Sequence, residues 1–200
     1  MSTPEDGTET RAFQDADHLD AWLSARPAPH PGLWVKVGKK GSGVRSVSAG
    51  DVNDVALCHG WITGNRRRLD ETYFLQRITP RRPGSDWSMV NVRRVEELNA
   101  TGRMRAGGLA EVAAAKADGR WAAAYESQRE ATVPEDLATA LEHSPRARRS
   151  FERLGKTDRY LVILGLLKAR TPQTRAARLK VALATLETDE TDDQPSHRSP

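Results

Sequence analysis

A single cysteine in 200 residues leaves no partner for an internal disulfide and too few thiols for a Cys-rich zinc site. Long apolar runs are missing too. The longest, "YLVILGLL" from Tyr160 to Leu167, makes about two helical turns, far short of the roughly 20 residues a bilayer crossing needs, so no membrane insertion is expected. The N-terminus "MSTPEDGTETRAF" has neither a basic start nor an apolar stretch, so no secretory signal is expected and the protein is placed in the cytoplasm. His18, His30, His59, His143 and His197 lie in scattered segments without ligand spacing, so no metal site is expected. No cofactor motif is found either. "GKKGSG" (Gly38–Gly43) lacks the spacing of a phosphate loop; it reads as a flexible turn that can still help to hold an anion.

The charged residues are of both signs. Thirty-one basic side chains face 27 acids, for a net charge of +4, and the basic ones are strewn along the chain without a helix-turn-helix, zinc-finger or aromatic RNA-binding signature. Nucleic acid therefore ranks last among the partners. Residues 1–10 and 188–200 are polar and nearly free of large apolar side chains, so both are expected to be disordered tails. Between them, residues 11–187 are expected to form one domain, with a sheet-containing half (11–87) and a helical half (88–187).

The order of elements follows from periodicity. Phe13, Leu19, Trp22 and Leu23 recur at helical spacing, and the prolines from Pro27 to Pro31 end that helix. "GLWVKVGKK" alternates as a strand, with Leu33, Val35 and Val37 on one face and Trp34 and Lys36 on the other. Ser48 caps a helix that Gly60 stops, with Asp51 placed to complement its dipole. "RRRLDETYFLQRITPRR" predicts a hairpin-like pair with Asp70 and Glu71 near the turn, ended by Pro80 and Pro83. From Ser88 onward the pattern is helical, with Val92, Val95 and Leu98 on one stripe and Pro134 and Pro172 at later helix starts. The expected fold class is α+β: a small antiparallel sheet with helices, followed by a helical cluster packed against it.

"CHGW" (Cys58–Trp61) joins the cysteine to a histidine, a glycine and a tryptophan. Adjacent side chains on a helix diverge by about 100 degrees, so Cys58 and His59 do not form a thiolate–imidazolium pair. Cys58 is expected to be buried as a small hydrophobe. His59 is the candidate general acid or base, because an imidazole titrates near neutral pH. In "YFLQRITPR", Phe74, Gln76 and Ile78 point one way and Tyr73, Leu75 and Arg77 the other. A polar side chain among apolar neighbours needs partners. Trp61, Gln76, Arg77, Arg81, Trp87, Ser88 and Asn91 are therefore candidates for a pocket at the end of the sheet, taking a planar or anionic small molecule. The competing reading makes the tryptophans core and the polar groups loop ties. Lys116, Arg170, Arg175 and Arg178 are second-tier anion contacts.

"ALCHGWITG", "YFLQRITPRRPGSDWSMVNVRRVEEL", "GRMRAGGL", "PEDLATAL" and "KARTPQTRAARL", in this order, resemble the YdeI/OmpD-associated family of bacteria over Gly32 to Leu186. The resemblance implies a role in stress or in protection against bacteriocins or antimicrobial peptides, and no stated chemistry. Thr63 stands where that resemblance leads one to expect an acid. The function expected is a small-molecule or anion binding protein with no cofactor and an unidentified protein partner, if any. The alternatives are an enzyme using His59 on an anionic or planar substrate and, after it, a nucleic-acid binder.

Overall fold

The computed structural model describes residues 8–26 and 30–188. The chain divides into two compact units, Met1–Ala122 and Ala123–Pro200, where the sequence pattern had suggested one domain. It is an α+β protein.

The first unit holds β1 (Thr10–Ala12), α1 (Ala16–Ser24), β2 (Leu33–Gly38), α2 (Ala49–Cys58), β3 (Trp61–Arg68), β4 (Tyr73–Pro80), α3 (Met89–Ala100) and α4 (Ala106–Ala117). Its sheet has the order β1-β2-β4-β3. β2 pairs antiparallel with β4, and β4 antiparallel with β3, but β1 joins parallel to β2, so the sheet is mixed rather than purely antiparallel. That edge strand begins at Thr10, the last residue of the stretch expected to be a disordered tail. Glu9 and Thr10 are held there because Trp34 N–H donates to Glu9 O at 2.9 Å and Thr10 aligns with Trp34, so main-chain pairing compensates for the lack of apolar side chains. The rest of the expected tails, residues 1–7 and 189–200, lies outside the described residues, as do Pro27 and Pro29.

Alternation in β2 does what its pattern predicts. Leu33, Val35 and Val37 enter a core with Phe13, Leu19, Trp22 and Leu23 and with Val52, Val55 and Ala56 of α2. α2 starts at a capping box in which Ser48 Oγ accepts from Asp51 N–H at 3.1 Å and Asp51 Oδ2 accepts from Ser48 N–H at 3.2 Å. It stops at Gly60, whose φ of 76° favours glycine. α4 then approaches the end of α2 at backbone distance. Arg105 N–H donates to Cys58 O at 3.0 Å, and a Cβ on Gly108 would stand 2.2 Å from that same oxygen. Only a residue without a side chain fits there.

The second unit is helical: α5 (Glu135–His143), α6 (Pro145–Arg153), α7 (Lys156–Leu167) and α8 (Pro172–Thr188). Leu137, Leu141, Ala147, Phe151, Ile163, Leu166 and Leu186 form its core. No helix among the described residues is long and apolar enough to cross a membrane.

Two glycines make opposite tests of this packing. Gly108→Ala is expected to destabilise the first unit by about 3 kcal/mol, because backbone must move to admit the methyl group. Gly165→Ala in α7, where nothing stands within 4 Å, is expected to stabilise the second unit by about 0.5–1 kcal/mol through lower chain entropy in the unfolded state. All five tryptophans lie in the first unit, so urea unfolding followed by tryptophan fluorescence reads the first effect and far-UV circular dichroism the second.

Candidate functional site

The β3–β4 hairpin carries three consecutive arginines, Arg66, Arg67 and Arg68, and a β-bulge decides where they point. Thr63 pairs with Ile78 and Arg66 with Gln76, so β3 holds one extra residue between these pairs. An extra residue exchanges the two faces for everything beyond it. Arg66 and Arg68 thereby share the face of Gln76 and Phe74, while Arg67 shares that of Leu75.

Gln76, buried, holds the bulge open. Its Nε2 donates to Gly64 O at 2.8 Å and to Arg77 O at 3.2 Å, and its Oε1 accepts from Arg66 Nε at 2.6 Å. The amide thus satisfies carbonyls that the interrupted ladder would leave unpaired. Arg66 also lies over the Phe74 ring at 5.3 Å. On the opposite face, Arg67 and Arg77 flank the Trp34 ring at 4.8 and 5.4 Å.

The glycine-rich turn after β2 closes on the same end of the sheet. Lys39 N–H donates to Thr72 O at 2.8 Å, and Lys39 Nζ donates to Asp70 O at 2.6 Å. Asp70 Oδ1 accepts from Tyr73 N–H at 2.7 Å and Thr72 N–H at 2.8 Å. These backbone hydrogen bonds, Tyr73's first, keep its carboxyl below the ordinary range. Lys39, Arg66, Arg67, Arg68 and Phe74 line an open groove of about 520 Å³. Within residues 36–40 and 66–71 stand six cationic side chains and two carboxylates, one carboxylate capping the turn and the other, Glu71, paired with Arg68. The groove is therefore positive, aromatic at one side, and fixed on strands rather than on a mobile loop.

The residues singled out from sequence fall elsewhere. Trp61 is a core residue of the first unit whose ring meets His30 at 5.4 Å. Gln76 serves the bulge. Arg77 Nη2 donates to Pro31 O at 2.8 Å. Arg81 stacks over Trp87 at 3.6 Å and donates from Nη1 to Asp86 O at 3.2 Å, and Trp87 packs on Trp121 with centroids 4.9 Å apart. Ser88 caps α3 by accepting from Asn91 N–H at 3.3 Å. None of these seven lines the basic groove. Lys116 stacks over Trp121, Arg175 grips Asp136 with two hydrogen bonds of 2.7 and 2.8 Å, and Arg178 donates to Gly165 O at 2.7 Å. Arg170 also has interaction partners.

His59, at the C-terminal end of α2, is nearly buried, and its Nε2 donates to Asp20 Oδ1 at 2.8 Å. Arg105 approaches the same carboxylate with Nε at 3.2 Å and Nη2 at 2.7 Å. Burial alone would raise the Asp20 pKa, but the hydrogen bonds from Arg105 and His59 outweigh it and the carboxyl sits below its ordinary 3.8. This triad joins α1, the end of α2 and the start of α4. Cys58 beside it is buried, and burial pushes its thiol up.

Two outcomes are expected. A lowered folded pKa gives stability that is full above 3.8 and is lost as pH falls through the folded value. Asp20→Asn should therefore cost about 1–2 kcal/mol at neutral pH, and the difference from wild type should shrink below about pH 4 in urea titrations. A maleimide should label Cys58 slowly in the native protein and quickly in urea, since an un-ionised buried thiol is a poor nucleophile.

A family model described as a domain of unknown function (DUF8412) matches residues 11–111. A second, described as bacteriocin-protection, YdeI or OmpD-associated, matches residues 130–188. No curated protein and no solved structure matches the chain. The likeness read across Gly32–Leu186 is thus matched in the second unit, over 130–188. "CHGW", Thr63 and the hairpin lie in the segment that the first model matches.

Proposed function

We propose that this chain, which belongs to the family of the domain of unknown function DUF8412, is an anion-binding protein whose site is the groove of Lys39, Arg66, Arg67, Arg68 and Phe74. The observation that carries this reading is the bulge, which turns Arg66 and Arg68 to the face that bears Phe74. A ligand with a charged group and a planar ring suits such a groove: guanidiniums give charge-assisted hydrogen bonds, and the phenyl ring offers a stacking surface. Its volume is that of a small-molecule site. Acid–base chemistry at His59 is the weaker reading, because its Nε2 is committed to a carboxylate that also holds Arg105.

The cellular setting is part of the proposal. The second unit matches a model whose description names bacteriocin protection, which supports a role in stress or peptide resistance for a protein working in the cytoplasm. Anion binding in the first unit would then supply the signal or the cargo for that role.

Fluorescence anisotropy with a dye-labelled nucleoside triphosphate, which joins a planar ring to several negative charges, tests the site. Saturable binding that weakens with added salt is expected. Arg68→Glu should lower the affinity about tenfold, since it reverses an exposed charge at the rim. Inorganic triphosphate should compete, but less well than the nucleotide. Unchanged affinity in a folded Arg68→Glu variant would overturn the assignment. A single-stranded oligonucleotide that binds far more tightly than the nucleotide would move the reading to nucleic acid.

A further inference from the structure

The second unit contains a cavity of about 600 Å³ that the hairpin groove does not explain. Arg129, Lys156 and Arg159 line it together with Gln128, Tyr160 and Ile163, and no carboxylate does. Three cations around one cavity without a lining acid repel one another, an arrangement that an anion relieves. Lys156 and Arg129 make no ion pair among the described residues, in contrast to Arg175, which grips Asp136.

The other walls define what else the ligand carries. Arg159 is held in place by donating from Nη2 to Glu152 O at 2.8 Å and to Leu154 O at 3.3 Å. It also lies over Phe151 at 5.4 Å, and its buried Nε has no hydrogen-bond acceptor. Tyr160 gives its hydroxyl proton to Glu126 O at 2.9 Å, so it presents a ring and a lone pair to the cavity rather than a charge. Ile163 is part of the helical core and provides an apolar floor. Lys156 opens α7 behind Gly155, which offers no side-chain cap, and the partial positive charge of a helix start adds to that of the side chains.

We infer that this cavity is a second ligand site, for an organic anion in which a phosphate or carboxylate head is attached to an aromatic body. The head meets Lys156, Arg129 and Arg159, and the body lies against Tyr160 and Ile163. Its ligand class overlaps that of the hairpin groove, so the two sites are told apart by which residues respond and by which substitution weakens binding.

The experiment uses the full chain carrying Arg68→Glu, which weakens the hairpin groove, and phenyl phosphate as the probe, followed by amide chemical shifts and by calorimetry. Saturable shifts at Lys156, Arg159 and Tyr160 are expected, with inorganic phosphate and phenol each binding at least about fivefold more weakly, since each carries only half of the recognised chemistry. Lys156→Glu should weaken phenyl phosphate about tenfold. This variant places an acid in the first turn of a helix, a favourable position, so loss of folding does not confound it. Absent saturation, shifts confined to residues 36–74, or an affinity unaffected by Lys156→Glu would each overturn the site.

Discussion

The side-chain amide of Gln76 holds the β3–β4 bulge, and the proposed function follows from that bulge. With the extra residue in place, Arg66 and Arg68 turn to one face of the sheet and Arg67 to the other. Removing the extra residue would reverse every side chain from Arg66 to Arg68. The amide does this by filling both roles at once, donating to exposed carbonyls and accepting from Arg66 Nε. A leucine of similar size would forfeit the hydrogen bonds to Gly64 O, Arg77 O and Arg66 Nε that hold the bulge, each worth about 0.5–1.5 kcal/mol.

The basic surplus is not spread evenly in function, although it is spread evenly in sequence. Many arginines are consumed internally. Arg94 and Arg103 converge on buried Asp54, Arg105 on Asp20, Arg120 on Asp118 and Arg175 on Asp136. Each of these pairs neutralises a charge, and all but Arg120–Asp118, two residues apart, tie two segments of their own unit. Other cations line the groove at the hairpin end of the sheet and the cavity at the start of α7, neither of which has a lining carboxylate. Net charge says little about binding until such internal pairs have been subtracted.

The "CHGW" segment is a junction. Cys58 O and His59 O meet the glycines of α4 at backbone distance, His59 reaches across to Asp20 of α1, and Trp61 enters the core as the first residue of β3. An unusual run of residue types is thus explained by three helices and a strand meeting at one point. Polar groups in such a place are hydrogen-bonded because burial leaves no water to do it.

By itself the sequence determined the local elements. Alternation in β2, the Ser48 and Ser88 caps, the stop at Gly60 and the stripe of Val92, Val95 and Leu98 depend on residues within a turn or two of each other, and these appear as read. Its likeness to the YdeI/OmpD-associated family was legible too, matched over 130–188. The tertiary structure alone decided the parallel edge strand, since Thr10–Ala12 has no strand pattern of its own and is ordered by pairing with β2. It alone decided the groove as well. The sequence placed Arg66–Arg68 in a hairpin and read the Gly38–Gly43 turn as one that can help hold an anion, but only pairing across the sheet brought them to one groove. The conspicuous candidates, Trp61, Gln76, Arg81 and Trp87, were conspicuous because they are buried or tied to buried groups. Which polar residue supports a fold and which faces a ligand is set by long-range contacts, and periodicity carries no information about those.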